Sequence, residues 1–240
     1  MKPLLIFYIL LLSFVGAAFT ASNSATEDER FIEYRVDLKK QTIQFYWKDE
    51  NGQLYRSLGE LKQSLHAKGK KLVFATNGGM YQTDNSPLGL YIENGKVLKQ
   101  LNTRDATGNF YLKPNGVFYI TNDNKASICT TEAFESNSKI KYATQSGPML
   151  VIDGKLHSAF QKNSTNLNIR NGVGVLPDGK ILFVMSRKGI NFYEFATYFQ
   201  NAGCKYALYL DGFVSRTYLP GENWTQTDGD FGVIIGETSK

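Results

Sequence analysis

Asp211 is the residue in this chain best placed to do chemistry. It follows the apolar run Tyr206-Ala207-Leu208-Tyr209-Leu210 and precedes Gly212, so a carboxyl group emerges where a buried strand should end. Desolvation at such a point raises a carboxyl pKa toward the range of a general acid or base, and neighbouring donors restrain the rise. A plain Asp-Gly turn uses the same letters. Asn77-Gly78-Gly79-Met80-Tyr81 is a second candidate. Paired glycines let the backbone approach a ligand closely and aim N–H groups at an oxyanion, and a type I′ turn is the plainer reading. Gln145-Ser146-Gly147-Pro148 sets polar side chains just before an apolar run, where they suit sugar hydroxyls. The segment lacks the Gly-x-Ser-x-Gly elbow and neither histidine stands in a triad order, which argues against a serine hydrolase. Arg170-Asn171-Gly172 opens the run Val173 to Leu176 and offers the planar fork that suits phosphate or carboxylate, with a surface loop arginine as the bland alternative.

These groups need strands and helices to aim them. Asn94-Gly95, Asp153-Gly154 and Asp178-Gly179 each sit between apolar alternating stretches and predict tight hairpins around Leu90 to Leu98, Met149 to His157 and Gly174 to Met185. One helix is predicted from a Ser57 cap with Glu60 three residues on, through Leu58, Leu61 and Leu65, to a stop near Gly69. A second runs from an Asn191 cap with Glu194 in the same relation, through Phe192, Phe195, Ala196 and Phe199, to Gly203. Each helix leads into an apolar strand, Lys71 to Thr76 and Lys205 to Leu210, which then delivers Asn77 or Asp211. The similarity of the two units fits either a distant internal duplication or ordinary helix–strand grammar. Strand carboxyl ends are where α/β-type sheets commonly place ligand-binding groups.

Composition sets outer bounds. The 240 residues and 42% hydrophobic content suit one packed domain, and turn signals recur from Phe31 onward with no linker between them. Lys2, the apolar run Leu4 to Val15 and the small residues Gly16, Ala17 and Ala18 read as a secretory signal within residues 1–25, leaving 26–240 as the folded domain in a secreted or periplasmic setting. No membrane span is expected after cleavage. Losing Lys2 lowers the formal charge from +5 to +4, and the basic residues are scattered, so no nucleic-acid footprint is indicated. Cys129 and Cys204 could pair in an oxidising compartment, and sequence leaves that open. His66 and His157 cannot build a Cys/His zinc site with them. Asp84, Asp105 and Asp211 could converge on a divalent metal, although no ligand spacing compels one.

Six blocks in order resemble one known set. They are Asn77-Gly78-Gly79-Met80-Tyr81, Gly108-Asn109-Phe110, Pro114-Asn115-Gly116-Val117-Phe118, Gln145-Ser146-Gly147-Pro148-Met149-Leu150, Arg170-Asn171-Gly172-Val173-Gly174-Val175 and Ala207-Leu208-Tyr209-Leu210-Asp211-Gly212. From Phe74 to Ser215 the chain resembles the phosphodiester glycosidase domain family, nearest to its bacterial, periplasmic branch. The resemblance implies an α+β fold with a mixed, largely antiparallel sheet, a few packed helices and a single domain. It implies hydrolysis of a sugar-1-phosphodiester of the N-acetylglucosamine-1-phosphate type, with a sugar-phosphate or glycan as partner. In that reading Asp211 is the base or nucleophile, Arg170 holds the departing phosphate, and Asn77, Gly78, Gly79, Gln145, Ser146, Asn171, Gly212 and Ser215 bind substrate. A phosphate leaving group is a weak base, so one carboxylate with positive charge and N–H donors can suffice where ordinary glycosides need a second, acidic carboxyl. The chain departs from the family by setting Phe213 and Val214 where further glycine is common. A non-catalytic envelope glycan-binding protein and a phosphodiesterase cutting the P–O bond are the competing classes.

Overall fold

The computed structural model describes residues 28–239, so the leader within residues 1–25 lies outside the described residues. In chain order the strands are β1 (Phe31–Val36), β2 (Ile43–Tyr46), β3 (Lys71–Asn77), β4 (Tyr91–Glu93), β5 (Lys96–Lys99), β6 (Gly116–Thr121), β7 (Ala126–Thr130) and β8 (Ile140–Ser146). They continue as β9 (Met149–Ile152), β10 (Lys155–Leu156), β11 (Asn171–Val175), β12 (Ile181–Ser186), β13 (Ala207–Asp211), β14 (Thr217–Leu219), β15 (Trp224–Thr225) and β16 (Ile234–Ser239). Among the described residues two α-helices, α1 (Leu58–Ala67) and α2 (Phe192–Asn201), complete the α+β fold, a single domain.

The strands form three sheets in which every pairing is antiparallel, ordered β1-β12-β11-β13-β9-β10, β15-β14-β3-β16-β2 and β5-β4-β8-β6-β7. Their inner faces share one core, with Phe45, Phe74, Phe118, Tyr142, Phe183, Leu208, Leu210 and Ile235 drawn from all three. The outer face of the first sheet is covered by α2, whose Phe195, Ala196 and Phe199 pack on Ala207 and Tyr209. The outer face of the second is covered by α1 through Leu58, Leu61 and Leu65. Burial on both faces explains why β12 and β13 are near-continuous apolar runs instead of alternating ones.

The local signals are realised. Ser57 accepts from Glu60 N at 3.1 Å and Asn191 from Glu194 N at 2.9 Å, each satisfying an orphan donor of the first helical turn. Gly69 and Gly203, at φ 71° and 84°, stop the helices. Asn94-Gly95 and Asp153-Gly154 both take positive φ and close the β4–β5 and β9–β10 hairpins. The second predicted strand starts two residues late, at Ala207. The two helix–strand units also dock differently: α1 packs mainly on β3, the strand it leads into, whereas α2 covers β9 and β10 as well as Tyr209 of its own strand β13.

Candidate functional site

One strand end from each sheet arrives at the same place. Thr144 of β8 donates to Gly78 O at 2.9 Å, just past the end of β3, and Ser146 of β8 donates to Leu210 O at 2.8 Å in β13. Asn171, the first residue of β11, donates through Nδ2 to Thr76 Oγ1 at 3.0 Å and Asn77 O at 2.8 Å. Ser215 Oγ donates to Asn171 Oδ1 or Asp211 O, both at 3.2 Å, and Arg216 N donates to Asn77 Oδ1 at 3.0 Å. Neutral hydrogen bonds thus weld the three sheets together, each a modest net gain and each costly to leave unmade once buried.

Asp211 stands at this junction and is half-buried, so part of it still meets solvent. The protein packed around the carboxyl pushes its pKa up to about 7, against the opposing effect of the Gly212 N–H, which donates to Oδ1 at 2.7 Å, and of the Asn77 carboxamide. Asn77 Nδ2 faces this carboxyl without closing a well-formed hydrogen bond, and it is a fully buried donor with no partner. A buried N–H2 left unpaired beside a desolvated carboxyl is a feature that structural residues rarely keep, and it marks a point where a ligand oxygen would be welcome. Tyr81 is close enough to Asp211 for its charge, after burial, to help push the phenol up to about 12. Its hydroxyl therefore stays protonated, a donor at neutral pH.

Several expected ligand contacts turn out to be internal. The Arg170 side chain is wholly buried: Nε donates to Ile190 O at 2.7 Å, Nη1 to Tyr209 Oη at 3.1 Å and Nη2 to Asn166 O at 2.9 Å, with the guanidinium 3.7 Å from the Phe192 ring centre. Arg170 was expected to hold the departing phosphate, and these internal contacts occupy its donors instead. A guanidinium committed to carbonyls and sealed under aromatic rings has no free fork to offer. Gln145 is likewise spent, accepting from Leu90 N and Asn102 N and donating to Asn102 O and Thr131 Oγ1, which ties down the loop before β6. Asn171, Ser146 and Ser215 belong to the weld described above. Gly78 and Gly212 are glycines because a Cβ would collide with Ile235 and with Tyr209 Oη, and at Gly79 it would lie 2.7 Å from Thr144 Oγ1. Their reason is close packing of backbone against side chains.

Arg216 was missed. Its guanidinium donates through Nη1 to Ser215 O at 3.0 Å and pairs through Nε with Asp228 at 2.8 Å, and its side chain is 30% exposed. Nothing in Ser215-Arg216-Thr217 distinguished it beforehand except its closeness to Asp211. Asp84 and Asp105 do not join Asp211: the first caps Ser86 N at 2.9 Å and the second pairs with Lys113. Among the described residues no three His, Cys, Asp or Glu side chains gather in a metal-binding group. Cys129 and Cys204 are both free thiols, the one on β7 and the other in the core beneath α2, and burial pushes each up to about 11.

Comparison with known proteins shows the family and the fold. The family model described as phosphodiester glycosidase matches residues 70–233, a span that holds Asn77, Tyr81, Asp211 and Arg216. The Escherichia coli K12 protein YigE, itself described as uncharacterized, is 38% identical over 189 residues, 78% of this chain and 74% of that protein. The catalytic domain of zebrafish N-acetylglucosamine-1-phosphodiester alpha-N-acetylglucosaminidase, auto-inhibited by its pro-peptide, superposes with a TM-score of 0.59 at 15% identity, over 90% of this chain and 85% of that one. A Burkholderia pseudomallei K96243 protein provisionally described as exported gives 0.57 at 11% identity, over 86% and 73%. At such identities the two structures are similar in fold.

Proposed function

Because this chain belongs to the phosphodiester glycosidase family, we propose that it is an exported hydrolase cleaving a sugar-1-phosphodiester of the N-acetylglucosamine-1-phosphate type in an envelope or extracellular glycan. The observation that carries the reading is the desolvated Asp211 carboxyl facing the unpartnered Asn77 amide at the junction of three sheets. Ionised, Asp211 attacks the anomeric carbon or takes the proton of the attacking water. The bond from that carbon to the bridging oxygen breaks, its electron pair leaves with the phosphate, and water supplies the new sugar hydroxyl. The protonated Tyr81 donates to sugar or phosphate oxygens, and the buried Asn77 Nδ2 faces the Asp211 carboxyl and restrains its pKa. Arg216 is the cation for the departing phosphate, since its exposed pairing with Asp228 is weak and exchangeable. Arg170 becomes a positioning residue that braces β13 through Tyr209.

Export rests on the apolar run Leu4 to Val15; among the described residues no helix is long and apolar enough to cross a membrane. Hydrolysis of N-acetylglucosamine-1-phosphodiesters in oxygen-18 water tests the reaction. Label in the sugar supports it, label in the phosphate replaces it with P–O cleavage, and binding without turnover replaces it with a glycan-binding role.

A further inference from the structure

Phe213 is 85% exposed, and among the described residues it is the sole phenylalanine in the exposed class. It stands at the tip of a four-residue turn closed by Ser215 N to Gly212 O at 2.7 Å. The turn is held from both sides. Ser215 Oγ donates to Asn171 Oδ1 or Asp211 O on one flank, and Val214 packs against the cluster under α1 on the other. Chain geometry keeps the Phe213 Cα within about 7 Å of the Asp211 Cα. A large apolar ring displayed to water on a pinned turn, beside a desolvated carboxyl and an unpartnered amide, gains nothing for the fold, because burial of that ring is where its stabilisation would come from. Aromatic faces of this kind recruit flat apolar surfaces of ligands while nearby polar groups fix their orientation.

We infer that Phe213 is a specificity-determining residue whose ring stacks on the C–H face of a pyranose held at Asp211. The inference rests on the reading of this site as one for a sugar-1-phosphodiester. It assigns the bulky turn to recognition of the sugar and not to closing off the pocket. The ring makes the site favour ligands that carry an unsubstituted apolar sugar face over small phosphodiesters without a ring.

Steady-state kinetics on an N-acetylglucosamine-1-phosphodiester, with calorimetric titration of N-acetylglucosamine 1-phosphate, test it on the mature protein and on Phe213→Ala, Phe213→Leu and Phe213→Trp. The Ala and Leu variants should raise KM and Kd about tenfold, equivalent to about 1.4 kcal/mol, with kcat within about twofold. Phe213→Trp should hold both near wild type, because the flat face is kept. Unchanged Kd and KM in the Ala variant, or equal rescue by Leu and Trp, overturns the stacking role even where wild-type turnover is normal. Wild-type binding weakened by Phe213→Ala without any wild-type turnover leaves the stacking role standing and removes the hydrolase. Failure of the wild type to bind the sugar phosphate at all removes the inference. Thermal melting of each variant confirms that the exposed ring's loss leaves the fold intact.

Discussion

Replacing Asp211 by Asn should make the protein more stable above neutral pH while abolishing its turnover. The carboxyl pKa is raised from 3.8 to about 7, with burial as the main cause. In acid, below about pH 4, the group is protonated in folded and unfolded chains alike and costs nothing. As pH rises from about 4 to about 7 the unfolded chain gives up its proton while the folded chain keeps it, so stability falls across that window and levels off above it. A rise from 3.8 to about 7 is worth about 4 kcal/mol in full. Asp211 keeps some contact with water, and a carboxamide in its place sets one NH2 group beside that of Asn77, so about half that gain is expected. About 2 kcal/mol corresponds to a Tm rise of about 4–8 °C for a domain of this size. Thermal or urea denaturation of both proteins at pH 4 and pH 8 measures it. The mutant should gain at pH 8 and match the wild type at pH 4. A mutant equal to or weaker than the wild type at pH 8, or a pH-independent difference, refutes the claim that this carboxyl is held desolvated for function.

Three more expectations follow from the same site. The rate, as kcat/KM, should rise through an apparent pKa of about 7 and then level off, because Asp211 works ionised; a profile that falls above that value assigns it the acid role instead. Arg216→Ala should cut kcat/KM by roughly 30- to 1000-fold, about 2–4 kcal/mol of transition-state stabilisation, with Tm nearly unmoved because its ion pair with Asp228 is exposed. An unchanged rate rejects its phosphate role. Arg170→Lys should destabilise the fold by about 2–4 kcal/mol in urea titration, since a lysine cannot span Ile190, Tyr209 and Asn166 or lie flat on Phe192. Loss of activity at full stability would instead return Arg170 to substrate contact.

Local order was legible along the chain: the two capped helices, their glycine stops, the hairpins and the emergence of Asn77 and Asp211 at strand ends all depend on a few neighbouring residues, and neighbours are what a sequence displays. What it could not display is which polar groups spend their hydrogen bonds on one another. Arg170 and Gln145 carry the right atoms for ligands, yet only the docking of three sheets shows that those atoms face carbonyls from Asn166, Ile190 and Asn102. The same docking separates Asp84 and Asp105 from Asp211, and leaves Cys129 and Cys204 apart on β7 and beneath α2. It also strands the Asn77 amide beside the carboxyl and ties the Arg216 backbone N–H to the Asn77 side chain. Residue type decides what a side chain is able to bind; long-range packing decides what remains unbound and free for a substrate.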